Sequence, residues 1–258
     1  MIGILGGSGI EDADMLSDVE RRKVHTPYGS PSDLVTVGKF NGERVAFLSR
    51  HGRGHVINPS NVNYRANIFA LKEVGVTHVV SVSAVGSLQD NIHPGQFVLP
   101  DQFIDRTTQR KATFFDGSQV AHVSMADPFC PVLRSALKSS LSRLNIPHYS
   151  TGTYVCIEGP RFSTKAESKL FQSWGGTIIG MTLFPEVVLA REAELCYATL
   201  SLVTDYDSFR DFPVTAGEVT RVMQSNVCMA RKVLKDVISF FDKEQSCACG
   251  SALKNALI

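Results

Sequence analysis

Short β-branched or apolar runs alternate along the chain with longer stretches whose apolar positions recur every three or four residues. Residues 2–5 read as a brief buried strand ending in glycines. Residues 34–40 and 43–49 are β-rich runs parted by Asn41-Gly42, a dipeptide favoured by two-residue hairpins. Further strands are expected at 77–82, 97–99, 151–157 and 199–204, and a helix at 61–73. Asp127-Pro128 reads as a helix entry, with Asp127 as cap and Pro128 in the first helical position. Thr164-Lys165-Ala166-Glu167 and Thr215-Ala216-Gly217-Glu218 both have the capping-box form, in which cap and third residue satisfy each other's orphan amides. Beyond Thr215, the stripe Val219, Val222, Met223, Ala230, Val233, Leu234, Val237 and Phe241 predicts a long helix with one core face. The alternation as a whole predicts an α/β fold, a mixed sheet flanked by helices.

Composition narrows this picture. A chain of 258 residues, 43% hydrophobic, is long enough to bury most of its apolar surface in one core. No break in composition divides it, so one domain over 1–258 is expected, with a tail from about 242. The 26 basic and 25 acidic residues are interspersed and leave a net charge of +1, which excludes a basic nucleic-acid face and an acidic tail. An anion must therefore be held by a local site. Met1 runs directly into Ile2-Gly3-Ile4-Leu5 with no charged leader, and no apolar run approaches the length of a membrane span, so a soluble, cytoplasmic protein is expected. Cys130, Cys196, Cys156 and Cys228 stand singly in apolar surroundings and read as buried structural thiols. Cys247-Ala248-Cys249 reads as a redox pair, a strained disulfide, or two thiols on a mobile tail; the scarcity of cytosolic disulfides favours the last. A zinc site there needs two more ligands, and no suitable spacing supplies them, so no metal is expected.

Candidate chemistry gathers at predicted strand ends, where α/β proteins bind ligands. Gly6-Gly7-Ser8-Gly9 allows backbone amides and a hydroxyl to approach an anion, although its spacing matches neither a dinucleotide fingerprint nor a P-loop. Arg50-His51-Gly52-Arg53-Gly54-His55 combines a planar phosphate-binding fork with imidazoles; a solvated basic loop is the plain alternative. Ser81 to Ser87, with Ser83 and Ala84, is small and hydroxyl-rich, as an ordinary turn also is. Glu158-Gly159-Pro160-Arg161-Phe162-Ser163 sets a carboxylate, an arginine and an aromatic ring on one turn. Thr182 reads as a helix cap whose amide end suits an anion. Asp205 and Asp207, two carboxyls at i and i+2 after a buried strand, could share a proton with a bound base or simply cap a turn.

In order and spacing, these segments resemble the methylthioadenosine phosphorylase branch of the trimeric purine nucleoside phosphorylases. The resemblance runs from Ile2 to about Phe241. It includes Thr26-Pro27-Tyr28-Gly29, Asn63-Tyr64-Arg65-Ala66-Asn67, Asp101-Gln102-Phe103-Ile104-Asp105, Met125-Ala126-Asp127-Pro128-Phe129-Cys130 and Thr204-Asp205-Tyr206-Asp207, and the tail is similar to archaeal members. The resemblance implies an open αβα sandwich around a mixed, partly barrel-like sheet. It implies phosphate-dependent cleavage of the N-glycosidic bond of 5′-methylthioadenosine, giving adenine and 5-methylthioribose 1-phosphate, in purine and methionine salvage. Phosphate is then a co-substrate, held by Ser8, Arg50, His51, Ser83, Ala84 and Thr182, and no cofactor is required. Met181 lies under the ribose, Phe162 packs on the purine, and Asp205, Tyr206 and Asp207 meet the base, with Asp205 as proton donor toward N7. Asp205, Asp207 and His51 are the implied catalytic set. Ser163 and Val219 bear on substrate choice, and His122 reaches a neighbouring subunit's site in a homotrimer or a dimer of trimers. Two departures stand out: Ser8 where many relatives carry Thr, and Gly180 where some carry Asn, which is expected to widen the site. The rival readings are a phosphorylase of 6-oxopurine nucleosides or 5′-methylthioinosine, an NAD-dependent oxidoreductase, and a non-catalytic nucleoside-binding module.

Overall fold

The computed structural model describes residues 1–7, 10, 16–211, 214–242 and 246–258. Eleven strands join in one mixed sheet: β1 (Ile2–Gly6), β2 (Ser17–Arg22), β3 (Val35–Phe40), β4 (Glu43–Ser49), β5 (His78–Ser87), β6 (Phe97–Val98), β7 (Gln102–Arg106), β8 (His148–Tyr149), β9 (Thr153–Ile157), β10 (Ile178–Gly180) and β11 (Cys196–Tyr206). Five helices flank it: α1 (Tyr64–Glu73), α2 (Pro131–Arg143), α3 (Lys165–Ser173), α4 (Leu183–Glu192) and α5 (Ala216–Phe240).

Alternation along the strands divides the core in two. Leu5 and Val79 point to the side of α1 and α4, where Ile68, Leu71, Val187 and Leu189 meet them. Ile4 and Val80 point to the other side, among Leu133 and Leu137 of α2 and Val233 and Leu234 of α5. This period of two, buried on both faces, is the signature of a helix-covered sheet.

The path β2-β3-β4-β1-β5-β10-β9-β7 branches at β5, which also pairs with β11. β1 pairs with β5 only as far as Leu5↔Ser81, and β10 joins β5 only at Gly86 and Ser87. Between these partners, that edge of β5 lies open around Val82 to Val85. The functional site grows from this gap.

Several local expectations hold. Asn41 and Gly42 both take positive φ (50° and 82°), as a twist-matched two-residue hairpin requires. Thr164 and Glu167 make both bonds of the capping box. At Thr215 one half is present, the Thr215 hydroxyl accepting from the Glu218 amide. In the α5 stripe, Ala230, Val233, Leu234 and Val237 are buried, whereas Val219, Val222 and Met223 on the first turns are half-exposed and Phe241 caps the helix.

Other expectations are corrected. The helix expected at Asp127-Pro128 starts instead at Pro131, because the Cys130 sulfur accepts the Leu133 amide and Pro131 supplies the first helical residue. Strand β5 runs on through Ser87 and β11 through Tyr206, each holding the other in register. β2 was not evident in the sequence: it is an exposed edge strand without an apolar face. Cys228 is exposed rather than buried. Residues 246–258 of the tail are tied down. Ala256 is 5% exposed, its carbonyl accepts the His122 amide at 2.7 Å, and Leu253 N–H donates to Glu194. Cys247 and Cys249 pack against Cys130 and Cys196, a meeting that no sequence spacing announced.

Candidate active site

Arg50 follows β4 and turns into the gap beside β5. The side chain is buried, and its donors close the broken sheet edge: Nη1 donates to Val82 O and Nη2 to Leu5 O, each at 3.0 Å, with Ser81 Oγ at 2.7 Å. The planar fork expected to face phosphate faces Glu186 instead, with Nε to Oε2 at 2.7 Å and Nη2 to Oε1 at 3.0 Å. Tyr197 donates a further bond to Glu186 Oε1 at 2.7 Å. Burial works against the guanidinium charge, but the Glu186 carboxylate outweighs it and raises the Arg50 pKa. Among the described residues, one Nη1 N–H remains beyond the bond to Val82. Glu186 is thus a site residue to which sequence reading gave no role.

His51 sits beside Arg50 with Nδ1 2.8 Å from Ile57 O. A carbonyl only accepts, so Nδ1 carries the proton and Nε2 is a free acceptor. Burial, then the charge of Arg50, lowers its pKa to about 4, so the ring is neutral at neutral pH. His55 stacks on it with ring centroids 4.2 Å apart.

Further along β5, Ser83 is buried with an unpartnered hydroxyl, and Ala84 is half-exposed. Thr182 occupies the cap position of α4 but makes no side-chain cap bond, so its buried hydroxyl is not spent on the helix. The phenol of Tyr154, fully buried on β9, is turned to the hydroxyls of Ser83 and Thr182. Tyr154 Oη likewise has no hydrogen-bond partner among the described residues. Three hydroxyls gathered in a buried spot, two of them without a partner of good geometry among the described residues, suit a polar guest.

The same phenol corrects the expectation for Gly180. A Cβ built there would run into Tyr154 Oη and lie 2.7 Å from Cζ. The space left by the missing side chain is filled by a hydroxyl, so the site is more polar rather than wider. Gly180→Ala is expected to cost about 1–3 kcal/mol through overpacking. Tyr154→Leu removes the obstructing ring, so thermal unfolding of the double variant should show less loss than the two single losses summed.

The carboxyl pair ends β11. The register with β5 slips between Val203↔Val85 and Asp205↔Gly86, leaving Thr204 as an extra residue. Such a bulge re-aims the following side chain. Asp205 accordingly lies over Gly86, where a Cβ would stand 2.9 Å from Oδ2. Its Oδ1 accepts from Thr204 at 2.7 Å. Asn226 of α5 donates to Val203 O and pins the bulge from behind. Burial, then the nearby charges of Asp207 and Glu218, raises the Asp205 pKa to about 6 against the opposing Thr204 bond. Asp207 is also raised, chiefly by burial. Its carboxyl faces the hydroxyls of Ser168 and Ser163, and Oδ2 has no partner among the described residues.

Met181 joins the two regions, its thioether lying against Gly159. Phe162, two residues before Thr164, is 37% exposed, with Ser163 buried next to it. Val219 is half-exposed on the first turn of α5. Two expected members stand apart. The Tyr206 hydroxyl bonds to His93 Nδ1 and its ring lies beneath the Arg210 guanidinium. His122 is exposed, and only its backbone contact with the tail is fixed. Ser8 lies outside the described residues. Arg110, missed in the sequence, ties the site floor by donating to Tyr64 Oη, Glu158 and the Phe184 carbonyl.

A buried acid pair, a cluster of buried hydroxyls and a neutral histidine suit transfer to an oxyanion. Comparison with known proteins agrees: the Phosphorylase superfamily profile matches residues 1–239. The chain belongs to the phosphorylase superfamily. Among relatives, the S-methyl-5′-thioadenosine phosphorylase of Saccharolobus solfataricus is 56% identical over 261 residues, covering 100% of this chain and 97% of that protein. That of Pyrococcus furiosus is 50% identical over 257 residues, covering 100% and 99%. A methylthioadenosine phosphorylase from an Antarctic soil metagenomic library superposes with a TM-score of 0.95 at 47% identity, covering 100% of this chain and 92% of its own. The Schistosoma mansoni methylthioadenosine phosphorylase, solved with adenine, superposes with a TM-score of 0.92 at 37% identity over 98% and 96%. As in other members of the phosphorylase superfamily, inorganic phosphate is the co-substrate. Among the described residues no helix is long and apolar enough to cross a membrane.

Proposed function

We propose that the chain cleaves 5′-methylthioadenosine with inorganic phosphate, yielding adenine and 5-methylthioribose 1-phosphate. The observation that carries this reading is Asp205: a carboxyl with a pKa of about 6, aimed by a bulge and flanked by a second buried acid. Departure of a purine builds negative charge on the base and positive charge on the sugar, and each needs a group placed where it develops. Asp205 delivers a proton to the leaving base at N7, with Asp207 bonding the exocyclic amine.

Ser83, Thr182 and Tyr154 donate hydroxyl hydrogens to phosphate, with the backbone at Ala84 and, outside the described residues, Ser8. His51 Nε2 accepts a hydrogen bond from the hydroxyl of hydrogen phosphate. Arg50 contributes its remaining Nη1 N–H and its charge, while Glu186 holds it in place. Met181 supports the ribose, Phe162 covers the purine, and Ser163 and Val219 shape the choice of substrate. The 1–258 chain acts as one catalytic domain, with the tail from about 242 bracing His122, which serves a neighbouring subunit of a trimer or paired trimers in the cytoplasm.

One observation favours a second substrate class. Both carboxyls are raised toward the protonated form, and a protonated acid can donate to a 6-oxo group. The test follows free purine from 5′-methylthioadenosine and inosine, with and without phosphate. Phosphate-dependent adenine release faster than hypoxanthine release is expected. Faster inosine cleavage would move the assignment to 6-oxopurine nucleosides, and no release from either would overturn the activity.

A further inference from the structure

Cys130, Cys196, Cys247 and Cys249 converge where the C-terminal segment meets the start of β11 and of α2. Their four sulfurs all lie within 4.8 Å of one another. Cys247 Sγ is 3.8 Å from Cys130 Sγ and 3.3 Å from Cys196 Sγ. All four are free thiols. Pairwise bonding would separate the sulfurs into two couples, whereas Cys247 here is shared between two neighbours. A tetrahedral zinc–thiolate centre, with bonds of about 2.3 Å, places its sulfurs roughly 3.8 Å apart. We propose that these cysteines form a four-thiolate site for a zinc-type divalent cation that staples the C-terminal segment to the sheet.

The surroundings suit such a centre. Four thiolates around a dication leave a double negative charge, which requires N–H donors. The Leu133 amide donates to Cys130 Sγ at 3.4 Å from the first turn of α2, and Arg191 Nη1 lies 3.9 Å from Cys249 Sγ. Cys130, Cys196 and Cys249 are buried, while the half-exposed Cys247 leaves an entry path. Binding exchanges four thiol protons, released to solvent, for one cation, with no change in oxidation state.

The position explains what the site is for. Cys247 and Cys249 open the segment whose last residues hold the 120–122 strip: Ala256 O accepts the His122 amide and Ile258 N–H donates to Val120 O. Anchoring the thiols therefore fixes the backbone that carries His122.

The test uses the full chain purified anaerobically without reductant or chelator. Elemental analysis should find about one zinc-type ion per chain. Cobalt(II) added to stripped protein should give the intense thiolate-to-metal absorption of a tetrahedral sulfur site. Cys247→Ser/Cys249→Ser should lose both signals while keeping the wild-type circular dichroism, and amide exchange over 120–122 should speed up. Wild-type protein lacking metal and cobalt absorption, with all six thiols alkylatable after unfolding, overturns the proposal. A metal-free chain four hydrogens lighter, as two disulfides require, overturns it equally.

Discussion

Asp205→Asn is expected to lower kcat by about a hundred- to ten-thousand-fold, the range by which a positioned proton donor contributes. KM for the nucleoside should change far less, because the asparagine keeps the shape and the Thr204 bond but cannot give up a proton. Steady-state kinetics on purified protein measure both. The pH profile carries the same signature. With a pKa of about 6, the acid form is depleted as pH rises, so kcat/KM should fall on an alkaline limb that begins near this value and is absent in the variant. Stability should move the opposite way. The folded-state pKa is raised, so the stabilising proton uptake is complete below the unfolded value and lost as pH rises through about 6. At neutral pH the wild type buries a carboxylate at a cost, which the neutral amide avoids. The variant should therefore melt no lower than wild type while turning over far more slowly. A variant that keeps wild-type turnover would remove Asp205 from the chemistry, and one that melts much lower would make the loss structural.

The pair Asp205 and Asp207 was legible as two carboxyls at a strand end, but their aim was not. It depends on an extra residue at Thr204 opposite Val85 and Gly86, and a bulge leaves no mark in hydrophobic alternation when every neighbour is buried. Local signals read well for the same reason that they are local. Asn41-Gly42 specifies its own turn, and Thr164 with Glu167 specifies its own cap. Tyr154 and Gly180 lie on different strands, and what links them is a missing side chain that only a packed structure reveals. Thr182 read as a cap, and only the absent cap bond frees it for a ligand. Cys130 and Cys247 are 117 residues apart, so no spacing in the sequence signalled that Cys130 would join the Cys247-Ala248-Cys249 pair.

Glu186→Gln should cause the largest loss of stability of any single change at the site. Glu186 is fully buried and takes bonds from Arg50 Nε, Arg50 Nη2 and Tyr197 Oη. Arginine cannot discard its proton in this setting, so removing the carboxylate leaves an uncompensated buried charge. Breaking one side of a buried pair costs about 3–5 kcal/mol. In a chain of this size each kilocalorie lowers Tm by about 2–4 °C, so a fall on the order of 10 °C is expected in calorimetry. The loss is specific to an unpaired charge, and this separates it from a packing defect. Arg50→Met on the Glu186→Gln background removes the stranded cation and should recover much of the melting temperature. It should not recover turnover, because Val82 and Leu5 would then have no donor at the open edge of β5, and the strand that carries Ser83 would lose its brace. If the double variant melts as low as the single one, the pair acts through packing rather than charge. If it regains activity along with stability, Arg50 has no part in holding phosphate, and the cradle reduces to His51 and the hydroxyls around Tyr154.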